Sequence, residues 1–294
     1  MTFHPKRWTR LSVALAAGTM LTTADLARAG EAAGSEAPTR LAWWIFGNEG
    51  ESGDKGSSHH DEGGEGGEGA PAAATGEGGE GEGGAIASAD PATDDVAYLT
   101  ALSLIRGHLL VGLTLYRDGE TLAAEAHMRH PAGELYGGIK DALKARKAGS
   151  FLKELDLLAG LAQGAAPLDR IEPAHAAVLA KVDTAAAKAA MTPKTAFTVA
   201  TKLLKTAASE YDVSLGEDGA IDNAEEYQDA YGFTQEARRI LASLSGDEAQ
   251  EAVGVIDALA PLWPSIVPPA KLSTDASLLY GAAAKIEILG LGVD

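Results

Sequence analysis

Residues 94–130 read DDVAYLTALSLIRGHLLVGLTLYRDGETLAAEAHMRH, and the spacing inside this stretch decides the fold class. Leu99, Leu102, Ile105, Leu109, Gly112 and Leu113 recur at three and four, which predicts a helix from Asp94 to about Tyr116. Arg117-Asp118-Gly119 reads as a turn, and Glu120 to Arg129 as a second short helix. Pro131 suits the first turn of a third helix continuing to about Ala148. Working outward, helices are expected at 151–163, 172–190 with Pro173 near the start, 193–211, 223–244, 247–259 and 273–288. β-branched and aromatic residues alternate nowhere for long, so strand signals are nearly absent. The expected fold class is all-α, a helical bundle over residues 93–294 joined by short loops.

The chain ahead of this bundle has a different character. Lys6, Arg7 and Arg10 form a basic head, Leu11 to Leu21 an apolar stretch, and Ala27-Arg28-Ala29 a small-residue triplet. That three-part layout is a secretory signal over residues 1–29. Its apolar part is shorter than the roughly 20 residues a bilayer span needs, so the expected product is exported, periplasmic and not membrane-spanning. Residues 30–92 follow as a disordered Gly/Glu-rich linker with an apolar island, Leu41-Ala42-Trp43-Trp44-Ile45-Phe46. Such composition cannot bury enough surface to offset the entropy of ordering. Within the linker, His59-His60-Asp61-Glu62 is a loose cation-catching tract or a polar spacer that happens to hold two histidines.

Charge and cysteine usage narrow the partners. The formal net charge is −18. Loss of residues 1–29 removes four basic groups and one acidic one, which leaves the chain more acidic still. Nucleic-acid binding needs clustered Lys and Arg, and the short run Lys140, Lys144, Arg146, Lys147 reads as a solvated helix face. Cations and basic proteins suit an acidic surface. With no cysteine in the chain, a metal site here must use His, carboxylate, Tyr or Met.

Two constellations carry chemistry. In the first, His127 and His130 are three apart on one helix face, Glu134 follows by four, Tyr136 lies just beyond, and His108 can approach from the helix across the tight turn. His108, His127, His130, Glu134 and Tyr136 are therefore the candidate metal ligands. Imidazoles with a carboxylate suit iron or copper, with zinc or nickel possible, and Met128 beside them would extend the set to Cu(I). The competing account is capping: histidines at a helix C-terminus and a glutamate in the next first turn are both favoured by the macrodipole. In the second constellation, residues 211–233 read YDVSLGEDGAIDNAEEYQDAYGF. A loop turns at Gly216 and Gly219, Asp222 or Asn223 can cap the helix that follows, and Asp222, Glu225 or Glu226, and Asp229 line one face. The loop is not an EF-hand, because Ser214 and Gly216 occupy positions that would need carboxylates. Acids at a helix start either complement the dipole or bind a cation.

The stretch 211–233 is similar to a segment of the periplasmic helical domains that accompany the high-affinity iron permease family: Tyr-Asp, then Asp-Gly, a small aliphatic, Asn, and Glu-Tyr before a helix. Imelysin-like iron-associated envelope proteins carry a Gly-x-His-x-x-Glu motif, beside which Gly107-His108 falls, with Val111 where the glutamate would be. The resemblance implies an envelope protein near iron or copper uptake, with a permease or oxidase partner. There is no HExxH, GxSxG or Walker loop, and the Glu-bearing glycine run would repel phosphate, so no enzyme class is indicated. The rival class is a metal-free helical interaction module that docks a basic partner.

Overall fold

Asp94 starts the bundle by capping it. Its carboxylate accepts a hydrogen bond from the Ala97 N–H at 2.7 Å, satisfying a donor the first turn leaves without a partner. The computed structural model describes residues 89–293, so the expected signal segment, the 41–46 island and the linker with His59-His60 lie outside the described residues. Among the described residues the architecture is helical throughout, with only two isolated β-bridges, Leu215 with Ile221 and Ala220 with Lys271.

Helix α1 (Asp95–Arg117) turns at Asp118 and Gly119 into α2 (Thr121–His130). Here the structure departs from the sequence reading. Pro131 does not begin a separate helix: a π-helical turn (Pro131–Leu135) joins α2 directly to α3 (Tyr136–Ala145). A proline in a continuous helix clashes with the carbonyl four residues back. Here the chain stays helical past the ring, and a wider π turn, closed by the Tyr136 N–H on the Pro131 carbonyl, follows it directly. Next come α4 (Leu152–Gln163) and α5 (Leu168–Ala186). The latter starts earlier than expected, so Pro173 stands inside it rather than near its start. The C-terminal part comprises α6 (Pro193–Val213), α7 (Ala224–Ala242), α8 (Asp247–Asp257), a 3-10 turn (Ala260–Leu262) and α9 (Ser277–Gly290). Thr192 caps α6 and Asn223 caps α7.

The helices group into two packed quartets. In one, α1 packs on α2 and α5, and α4 lies against both of those; in the other, α6 packs on α7 and α9, and α8 lies against both. α1 joins them, since it also packs on α6 and α7. This central position explains its composition. It is the one described helix long and apolar enough to cross a membrane, yet Tyr98, Leu99, Leu102, Ile105 and Leu109 are all buried under the other helices.

The seam between the quartets is unusually close. A Cβ at Gly107 would stand 2.6 Å from a Phe233 ring carbon, and one at Gly232 would stand 2.6 Å from the Gly107 carbonyl oxygen. Only glycine on both sides lets the two backbones approach so nearly. The expected basic face is also corrected: Arg146 turns inward, its Nη1 2.6 Å from Asp95 and its guanidinium 4.5 Å above the Tyr98 ring. Lys140, Lys144 and Lys147 stay exposed.

Two outcomes follow. Gly232→Ala should lower stability by about 1–3 kcal/mol in urea unfolding, because a methyl must be forced into a filled seam. As the control for this first outcome, Gly160→Ala at an exposed position of α4 with open space around it should stabilise by a few tenths to about 1 kcal/mol. The second concerns His175, buried on α5, whose Nε2 is 2.9 Å from the Leu109 carbonyl. Burial, aided by Arg117 and Arg106, holds its pKa below the ordinary 6.5. The unfolded chain takes up this proton first, so this histidine erodes stability as pH falls below that value. Between about pH 7 and about pH 5, His175→Gln should therefore lose less stability than wild type in thermal melts.

Candidate metal centre

Three side chains converge at the close seam. His108 comes from α1 beside Gly107, His127 from the last turns of α2, and Asp229 from α7 one turn before Phe233. One donor atom from each lies within 4.8 Å of the others, and all three residues are buried. Both imidazoles address the same oxygen: His108 Nδ1 is 2.7 Å and His127 Nδ1 2.9 Å from Asp229 Oδ1. Phe233 meets the His108 ring edge to face at 5.1 Å and covers one side.

The other end of His127 is fixed as well. Its Nε2 is 2.9 Å from Gln228 Oε1, and the Gln228 amide nitrogen donates to the Ile266 carbonyl at 3.2 Å. The second bond orients the amide, so its oxygen faces His127 and must accept from an Nε2–H. A neutral His127 then presents the Nδ1 lone pair to the Asp229 carboxylate. Two acceptors 2.9 Å apart need a positive charge between or beside them, either a proton or a metal ion. This is the second-sphere arrangement by which an outer acceptor sets the tautomer of a metal-ligating histidine.

Burial pushes the Asp229 carboxyl up, but positive charge on the adjacent His108 and His127 outweighs it and holds the group below the usual carboxylate range, and a metal ion in place of the imidazole protons would act in the same direction. The donor set, two imidazoles and one carboxylate, fits a first-row divalent metal with open positions. The contacts of 2.7 and 2.9 Å are hydrogen-bond lengths, shorter than the roughly 3.4 Å between donors that each bond one tetrahedral ion at about 2.1 Å, so the three groups open slightly when an ion replaces the shared proton.

The remaining predicted ligands lie at other depths. His130 adjoins the group, its ring centroid 5.5 Å from that of His108 and 6.1 Å from that of His127, but its Nε2 meets Glu225 Oε1 at 3.0 Å. Glu134 comes within 3.8 Å of the same nitrogen and is half-exposed. Tyr136 is engaged elsewhere: its hydroxyl is 2.7 Å from Ser150 Oγ and its ring packs on Phe151. Met128 packs over Gly112, filling the crossing of α1 and α2, so its thioether serves the core. Asp229, Glu225 and Gln228 were absent from the first constellation. Their signal was the acidic face of the second, with Glu225 and Asp229 four apart, some hundred residues further along the chain.

Comparison with known families bears on the α7 side of this centre. Residues 186–288 match the family model of the iron permease-associated 4-helix bundle domain. The match takes in α6, α7, α8 and nearly all of α9, which form the C-terminal quartet. Asp229, Gln228 and Glu225 therefore lie within the residues that match this family model, whereas His108, His127 and His130 come from helices before them. No curated protein and no solved structure matches the chain.

Gln228→Leu, which removes the acceptor for His127 Nε2–H, should weaken metal binding by about 10–100-fold, while Gln228→Glu, which keeps an acceptor, should weaken it far less. Competition titration against a chromophoric chelator measures both.

Proposed function

We propose that the protein is a periplasmic metal-binding protein of an iron-uptake system, which holds the metal through His108, His127 and Asp229 and stores it or passes it to a membrane permease. The observation that carries this reading is the convergence of two imidazoles on one buried carboxylate, with Gln228 setting the His127 tautomer. The match to the iron permease-associated bundle supports iron as the cargo and a permease as the partner. The donor chemistry supports the same metal. Two imidazoles and a carboxylate suit Fe(II), while zinc and Cu(II) are admitted by the same atoms. Cu(I) is disfavoured, since Met128 belongs to the core. The N-terminal signal layout supports export.

Calorimetric titration of the full chain, carrying His59→Ala/His60→Ala so that the linker tract takes no ion, tests this with Fe(II) under anaerobic conditions, Cu(II) and Zn(II). The expected result is micromolar or tighter binding that Asp229→Asn and His108→Ala each abolish while the far-UV circular dichroism stays helical. Saturation at about 100 times Kd should add about 2.7 kcal/mol of stability. An intact chain that binds none of the three ions would overturn the reading and favour a metal-free module that docks a basic partner.

A further inference from the structure

We propose that His130, Glu225 and Glu134 form an outer cation station, one helical turn towards solvent from the buried centre, through which the metal is loaded and released. This rests on reading the His108, His127 and Asp229 group as the metal site.

The geometry repeats itself at two depths. α2 supplies His127 and His130 three residues apart, and α7 supplies Asp229 and Glu225 four apart, so each helix sets one donor at each level. At the inner level His127 Nδ1 faces Asp229 Oδ1 at 2.9 Å; at the outer level His130 Nε2 faces Glu225 Oε1 at 3.0 Å. The levels are separated by about 5.4 Å, one helical turn, and the rings of His127 and His130 are 6.1 Å apart. A metal can therefore move from one donor pair to the next by ligand exchange, without passing through apolar core.

The two levels differ in what completes them. His108 closes the inner one, and its ring lies 5.5 Å from that of His130, so it borders both. Glu134, carried by the π turn that follows His130, completes the outer one at 3.8 Å from His130 Nε2. Exposure rises along the path: the His127 side chain is 0% exposed, that of His130 15%, Glu225 38% and Glu134 44%. One imidazole with two part-solvated carboxylates is a harder, wetter donor set than the inner one. Such a set holds a divalent ion more weakly and exchanges it faster.

Co(II) is the probe, because its visible absorption changes with coordination. Stopped-flow mixing of Co(II) with the full chain in the His59→Ala/His60→Ala background gives the loading rate, and mixing the loaded protein with EDTA gives the release rate. In Glu134→Gln/Glu225→Gln, both rates should fall by about tenfold or more, and together, so that the affinity of the tight equivalent is nearly unchanged. A weaker second equivalent seen in the wild type should disappear. The slowing should persist in about 1 M salt, where the Debye length is about 3 Å and simple charge steering is lost. Unchanged rates, or a slowing that vanishes in high salt, would overturn the outer station and leave the buried site standing. Loss of the tight equivalent in this variant would also overturn it, since the glutamates would then belong to the inner coordination. A wild-type chain that takes up no Co(II) would overturn both readings.

Discussion

Helices α1 and α7 pack closely at Gly107 and Gly232, and both the joining of the quartets and the placing of His108 and Asp229 follow from that contact. Cβ atoms on either side would overlap the opposite backbone or the Phe233 ring, so the helices meet with their main chains nearly touching. His108 stands next to Gly107, and Asp229 stands three residues before Gly232. A wider crossing would separate their side chains. The seam is also where the C-terminal quartet meets the N-terminal one, so the architecture and the candidate centre share one contact.

A buried carboxylate at such a seam needs compensation, because stripping water from a charge costs several kcal/mol. Asp229 receives it from His108 and His127, and Gln228 and Ile266 extend the network. On the His127 side the Gln228 oxygen matches Nε2 and the Ile266 carbonyl matches the Gln228 amide, while Nδ1 and Asp229 Oδ1 are matched only by the proton or ion that joins them; completed in that way, a buried polar network specifies one arrangement rather than destabilising the core. The same network leaves His127 Nδ1 aimed at the carboxylate with its tautomer already chosen. Preparation of this kind favours positive charge at one position, and Gln228 and Ile266 take part in it although neither faces that position.

The division of labour between the quartets is informative. The C-terminal quartet contributes Asp229, Glu225 and the orienting amide of Gln228, while the preceding helices contribute His108, His127 and His130. Neither quartet alone holds a complete donor set. The π turn at Pro131 adds to this arrangement: by keeping α2 and α3 in one helix it brings Glu134 next to His130 and sends Tyr136 to Ser150.

The all-helical class and the start of most helices were legible in the amino-acid order, because apolar spacing and capping residues such as Asp94, Thr192 and Asn223 act within a few residues of chain. That order also marked both chemical constellations, since paired histidines and paired acids at three and four are local patterns. What it could not join was His127 to Asp229, which lie some hundred residues apart; their meeting depends on a helix crossing, and no local spacing encodes that. The inward turn of Arg146, the unbroken helix across Pro131 and the placement of Tyr136 were hidden for a related reason. Each is a choice between locally acceptable conformations, and packing against distant helices makes it. Tertiary structure thus decided the donor set: burial and close approach select which of many acceptable side chains share one space.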